Sequence, residues 1–407
     1  MTAAELHRSS PRPAGQMPVV LLGLGHGATH WVAAIFLFLQ PYFREDLGLT
    51  YLQAGMLVAI FHVSSFAANL GSGALVDVTG RRVAFQVASL VIGGAALLVF
   101  GMTGIYAVLA LMVALIGGSN NLWHPPALTF LSALYPTKRG FVLAIHGLGA
   151  SVGDAIGPLA AGLLLTGLTW QGTAMVSAVP VFLVAILLLI VLLPRDTAEA
   201  GGLPKKTDAR AYLNGLGGLL RDPAVLGLSL AAGFRAMAQN GLLIYLPFYL
   251  VDVIRFDPLV AGLALTAMHI GGLVASPIAG HLSDKIGRRP VVLAGASLTS
   301  VIIVAATFVT DPTFYVAMVA VLGFVLYAIR PAMQGWILDL APADMTASTT
   351  SVMFGVQATL SALMPLLGGL IADAYGLVEV FYALAAIMLV ANVLIAVLPR
   401  IVPRMRA

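Results

Sequence analysis

Apolar positions run along this chain in long unbroken blocks, and polar residues collect between the blocks rather than alternating with them. Twelve blocks are long enough to cross a bilayer as helices, at 18–43, 52–76, 83–100, 105–133, 141–167, 171–193, 224–250, 259–282, 289–308, 313–338, 348–372 and 378–399. Continuous runs exclude membrane strands, which alternate with a period of two. The pattern predicts an all-α polytopic membrane protein. One long polar stretch interrupts it, Arg195–Asp222, with Gly201-Gly202, Lys205-Lys206 and Arg210. It reads as a linker between a six-helix bundle over 1–194 and a second over 223–407, the linker itself covering 195–222.

The two bundles repeat each other. The segment Gly73-Ala74-Leu75-Val76-Asp77-Val78-Thr79-Gly80-Arg81-Arg82 returns half a chain length later as Gly280-His281-Leu282-Ser283-Asp284-Lys285-Ile286-Gly287-Arg288-Arg289. At the same offset, to within one residue, Pro158 matches Pro365, Pro41 matches Pro247 and Pro125 matches Pro331. A membrane unit made twice, with a charged turn at the same place in each copy, is the construction of an alternating-access transporter. The twelve spans then form two pseudo-symmetric six-helix bundles.

Composition agrees: 60% of residues are hydrophobic, 9% are charged, and mean hydropathy is +0.98. A soluble chain of this length needs more charge to cover its surface. There is no cysteine, which removes disulfides, thiolate nucleophiles and thiolate metal sites. The polar, Pro-containing stretch before Met17 shows no small-residue cleavage site, so the first apolar run reads as a retained helix rather than a signal peptide. The net charge of +4 and isoelectric point near 9.4 reflect topology, not nucleic-acid binding. Of the 21 Lys and Arg, only Arg44 and Arg255 fall on one face, and Arg235 and Arg330 fall within spans; the rest share the other face. The positive-inside rule then makes both termini and the linker cytoplasmic, in a bacterial-type inner membrane.

The doubled loop resembles the signature of the major facilitator superfamily, Gly-x-x-x-Asp-Arg-x-Gly-Arg-Arg/Lys, with Val78 and Lys285 at the usual Arg position. Further segments resemble the fosmidomycin-resistance-like branch of drug exporters: His26-Gly27-Ala28-Thr29-His30, Trp123-His124-Pro125-Pro126, and Arg139-Gly140 through Gly153-Asp154-Ala155-Ile156-Gly157-Pro158. The branch usually carries acids where this chain has His30 and Pro126. The resemblance implies the major facilitator fold, with helices one, four, seven and ten lining a central cavity, and gating by the signature loops through Asp77, Arg81, Arg82, Asp284, Arg288 and Arg289.

The chemistry lies in polar groups within spans. Asp154 is the acid nearest mid-span; it is either a proton carrier or an interhelical packing bond. Arg235 and Arg330 suit a carboxylate, phosphate or phosphonate through bidentate contact, by the resemblance in the central cavity with Gln239, Trp123 and His124; one of them is alternatively the internal partner of Asp154. His26 and His30, four apart, share a helix face. With His62, His124, His146 and His269 they are proton carriers, packing bonds, or metal ligands with Met237, Met268 and Met333 as softer partners. No compact motif such as His-Glu-x-x-His is present. Pro125-Pro126 and Pro331 predict broken helices four and ten beside His124 and Arg330.

These residues predict a proton-coupled secondary transporter that exports a small anionic or amphiphilic organic compound. Asp154, His30, His26 and His124 carry protons, and Arg235, Arg330, Gln239, His124 and Trp123 hold substrate. The proton gradient drives it, and no cofactor is implied. Lipid and the small molecule are its partners, the chain acts as a monomer, and no enzyme is indicated, since no nucleophile and base fall together. Two alternatives stay open: transport of a transition-metal ion through His26, His30, Met237 and His269, and uptake of an organic anion by symport.

Overall fold

The computed structural model describes residues 16–195, 219, 221–341 and 345–401. Among these residues twelve long helices follow in chain order. They are α1 Met17–Asp46, α2 Tyr51–Thr79, α3 Arg82–Gly101, α4 Tyr106–Leu134, α5 Arg139–Leu165, α6 Trp170–Val191, α7 Pro223–Phe248, α8 Pro258–Ile286, α9 Arg288–Ala305, α10 Pro312–Leu340, α11 Thr346–Ala374 and α12 Leu377–Ile401. The linker read over 195–222 lies almost entirely outside the described residues.

Among the described residues, eleven of the helices are long and apolar enough to cross a membrane, which makes this a multi-pass membrane protein; α7 falls short because Arg235, Gln239 and Asn240 occupy its middle. Three helices of the second half start the same way. Asp222, Asp257 and Asp311 cap the first free amides of α7, α8 and α10, each with a proline at the first helical position.

Prolines act unequally. The tandem Pro125-Pro126 splits α4 at Trp123 into Tyr106–Leu122 and His124–Leu134, since two successive residues lack an amide hydrogen. The predicted break of the tenth span does not occur: Pro331 lies inside the continuous α10, where a single missing hydrogen bond is absorbed. Past Pro247, α7 widens into a π-turn over Tyr249–Val253.

Packing repeats between halves. α1 lies on α5, α2 on α4 and α3 on α6; α7 lies on α11, α8 on α10 and α9 on α12. The halves meet along two symmetry-related seams, α5 against α8 and α2 against α11. Small residues let backbones touch. A side chain at Gly149 or Gly153 of α5 would fall on the carbonyls of Gly23 and Gly27 in α1. Across the first seam the contact is reciprocal, with Gly162 on the Pro258 carbonyl and Gly262 on that of Pro158, and Thr266 Oγ1 donates to the Ala155 carbonyl at 2.7 Å.

At the end opposite the basic loops, the halves are tied by charge. Asp252 accepts from Arg44 at 3.1 Å and from the Tyr51 hydroxyl at 2.9 Å, while the Arg44 guanidinium lies 4.3 Å over the Tyr51 ring. Asp373 of α11 accepts from the Tyr51 and Leu52 amides at 2.8 and 2.9 Å. A carboxylate from one half thus caps a helix of the other, where the helix dipole favours negative charge. Toward the basic end, α2 and α11 separate. Gly55 still meets the Pro365 carbonyl, but His62, Val63 and Phe66 already face Phe354, Gly355 and Ala358 across open space.

Two outcomes follow. Gly153→Leu overpacks the α1–α5 seam and costs about 1–3 kcal/mol, read as a lower midpoint of thermal unfolding in detergent, whereas Gly73→Leu, which meets open space, leaves the midpoint unchanged. Asp252→Asn combined with Asp373→Asn loosens the closed end. In this cysteine-free chain a single Leu49→Cys then labels several-fold faster with a water-soluble maleimide; an unchanged rate contradicts the latch.

Candidate functional site

The α1–α5 contact sets the site. Because Gly27 and Gly153 touch, His30, one turn beyond His26, reaches α5 and its Nδ1 lies 3.0 Å from Asp154 Oδ1. Both side chains are partly open, at 25% and 34%. The internal pairing considered for Asp154 with an arginine is therefore taken by a histidine.

Around this pair the rings form a cluster. His26 lies 4.9 Å from His30 and 5.0 Å from His124, edge-on to each, and stacks on His146 at 4.1 Å. Its Nδ1 donates to the His146 carbonyl at 2.8 Å. Trp123, read from sequence as a substrate contact, is fully buried instead. Its ring fills the space that Gly25 leaves open and stacks on His146, at the helix break immediately before His124.

Across the seam, α7, α8 and α10 supply the complementary groups. Arg235 is 5% exposed and donates to Gln239 Oε1 at 2.5 Å; Arg330 is exposed. Arg235, Gln239, Asn240 and Arg330 line a cavity of about 610 Å3 with His62 of α2 and the Phe354–Ala362 stretch of α11. A second cavity of about 190 Å3 lies between Asp154 and Pro158 on one side and Gln239, His269, Tyr327 and Arg330 on the other. Gln239 and Arg330 line both. The acid of the first half and Arg330 of the second thus border one cavity, and Arg330 and Gln239 border the next one together with Arg235.

His269, whose Nδ1 faces the Leu265 carbonyl at 2.8 Å, lies opposite Asp154 and away from the ring cluster, and Met237 is buried in α7. The predicted set of His26, His30, Met237 and His269 therefore does not assemble as one metal centre. Among the described residues, His26, His30 and His124 do, each with a potential ligand nitrogen within 4.8 Å of the others.

The signature loops hold their own halves together here. Arg288 pairs with Asp284 and reaches Asp339 of α10 at 3.2 Å and Ser283 Oγ at 2.8 Å, over the space left by Gly335. Arg289 donates to the Ala396 carbonyl of α12 at 3.0 Å. In the first copy, Arg81 is exposed and its amide faces Thr79 Oγ1 at 3.4 Å; Arg82 is partly buried. The Asp77 side chain lies outside the described residues. Asp252, Asp373 and Tyr327 went unnoticed in the sequence. Asp252 and Asp373 stand at helix ends where lone acids are common, and only the partner half reveals their use.

Comparison with known proteins follows the same lines. The family model described as Major Facilitator Superfamily matches residues 22–262 and 230–406. The chain is 25% identical over 414 residues to a probable hexose phosphate transport protein of Chlamydia trachomatis, covering 91% of this chain and 88% of that one. It is 22% identical over 385 residues to the fosmidomycin resistance protein of Escherichia coli, covering 93% and 91%. A bacterial homologue of the human lysosomal transporter Spinster, solved inward-facing and unoccupied, superposes with a TM-score of 0.81 at 16% identity, over 98% of this chain and 99% of that one. With its duplicated signature loop, paired six-helix halves and full-length family match, this chain belongs to the Major Facilitator Superfamily of transporters.

Proposed function

We propose that the protein is a proton-coupled secondary active transporter that exports a small anionic or amphiphilic organic compound by alternating access. One observation carries the reading: Gln239 and Arg330 line both the larger cavity, with Arg235, and the smaller one, with Asp154. A volume near 610 Å3 suits a small organic molecule, and two guanidiniums facing it suit an anion held by paired hydrogen bonds. The names of the hexose phosphate and fosmidomycin resistance relatives support an anionic cargo and a protective, outward direction.

In this reading the basic end is cytoplasmic, both termini with it, in a bacterial inner membrane, and the structure is open inward. A cytoplasmic anion enters between Arg235 and Arg330. The halves rock about the α5–α8 and α2–α11 seams, the Arg44–Asp252 and Asp373 contacts part, and the anion faces out. A proton taken up from outside by the His30–Asp154 pair then favours anion release and return, after which it leaves to the cytoplasm. Asp154 with His30, His26 and His124 makes the proton site. Arg81, Arg82, Arg288 and Arg289 with Asp77 and Asp284 close the cytoplasmic end in the outward state. The chain works as a monomer within lipid; the proton gradient is its energy source, and the site performs no bond-making chemistry.

Proteoliposomes enclosing a pH dye test this. In a panel of alkylphosphonates, sugar phosphates and small carboxylates, at least one anion evokes proton movement in the wild type, and Asp154→Asn abolishes it while anion exchange down its own gradient persists. Silence across the panel with folded protein contradicts the reading. Arg330→Gln raises the KM for that anion roughly 10-fold or more, and Arg330→Lys recovers part of the loss because it keeps the charge but not the planar fork; equal KM values for the three forms exclude Arg330 from the anion site.

A further inference from the structure

We propose that His26, His30 and His124 form a binding site for a divalent transition-metal ion of the zinc, cobalt and nickel class. The inference rests on how the ring nitrogens are used; it shares its residues with the proposed proton site, where metal and proton would compete, and it does not depend on the anion reading.

Each imidazole has two nitrogens, and one must be free of hydrogen to bind a metal. His26 Nδ1 faces the His146 carbonyl at 2.8 Å. A carbonyl only accepts, so that nitrogen carries the hydrogen and Nε2 holds the lone pair. His26 Nε2 is buried and meets no hydrogen-bond partner. His30 Nδ1 faces Asp154 at 3.0 Å, which turns its Nε2 to the ligand role. His124 Nδ1 is also buried without a partner. Three rings thus converge with a potential ligand nitrogen each, mutually within 4.8 Å.

Packing alone leaves this arrangement unexplained. Buried polar atoms in a close-packed interior nearly always find a hydrogen-bond partner, and here unpartnered imidazole nitrogens of His26, His124 and His146 belong to one ring cluster. The outer contacts match those of metal sites, where a ligating histidine gives its other N–H to a carbonyl or a carboxylate. His26 has the carbonyl of His146 and His30 has Asp154.

The framework is sturdy. His26 and His30 share one face of α1, and His124 opens the second part of the broken α4 next to Trp123, which is fully buried. Imidazole donors favour ions such as zinc, cobalt and nickel over magnesium or calcium, which prefer oxygen. Metal–nitrogen bonds of about 2.0–2.1 Å require the rings to draw in by on the order of an ångström. Three protein ligands leave a coordination position open for water or an exchanging ligand.

Equilibrium dialysis with elemental analysis tests the site, using the full chain purified without affinity histidines and stripped with chelator. Zinc alone, or cobalt alone, is the probe; no anion and no gradient is applied, so a failure here is separate from a failure of the transport reading. The wild type retains one ion per chain, and with cobalt it shows the visible absorption of a low-coordinate nitrogen site. The combined His26→Ala and His124→Ala variant loses that ion, Asp154→Asn weakens binding about 10–100-fold, and His281→Ala at the basic end binds as the wild type does. If the double variant fails to fold, His124→Asn alone gives the same reading and lowers affinity at least 10-fold. No ion on the folded wild type, or equal retention in the wild type and the His124 variants, overturns the proposal.

Discussion

The closeness of α1 to α5 is the constraint from which the rest follows. Where Gly23 and Gly27 meet Gly149 and Gly153, the two backbones touch, and short polar side chains on either helix can then bridge them. His30 and Asp154 bond at 3.0 Å because nothing larger than hydrogen stands between the helices one residue away. A carboxylate within a membrane span is costly unless it is paired or borders water; this one has both a histidine and a cavity edge. The same approach brings His26 against His146 and leaves room at Gly25 for the Trp123 ring.

The second half answers with opposite charge. Arg235 and Arg330 line the larger cavity, and Gln239 and Arg330 border both cavities. The duplication therefore supplies two similar scaffolds carrying unlike chemistry, placed face to face by the α5–α8 and α2–α11 seams. Closure at one end relies on three charged side chains, Arg44, Asp252 and Asp373, together with the amides at the start of α2. Contacts of that kind can part without unfolding a helix, which is what alternating access requires.

Much of this architecture is legible in the sequence because the membrane makes composition informative. Helix positions follow from apolar runs, and the pairing of halves from one offset shared by loops and prolines. Asp154, Arg235 and Arg330 stand out since charge is rare inside spans. Interhelical direction is harder to read. Trp123 beside His124 looks like a cavity residue, yet the break at Pro125-Pro126 turns it into the core. Met237 and His269 look like ligands on residue type, but Met237 is buried in α7, His269 lines the cavity opposite Asp154, and His124 takes the third place in the ring cluster. Pro331 carries the same residue type as Pro125 without the same effect, because one proline bends a helix that two in succession split. Asp252 and Asp373 gain meaning only from the opposite half.

The central claim is that the His30–Asp154 pair and the two arginines act on one polar region, so that proton and anion occupancy are linked. Calorimetric titration of the detergent-solubilised wild type with simple phosphonates and carboxylates, each in two buffers of unlike ionisation enthalpy, tests it directly. The account predicts that the best-binding anion shows different heats in the two buffers, reporting proton exchange on binding, and that Asp154→Asn binds the same anion with equal heats. Equal heats in the wild type, or binding of no anion, would contradict it.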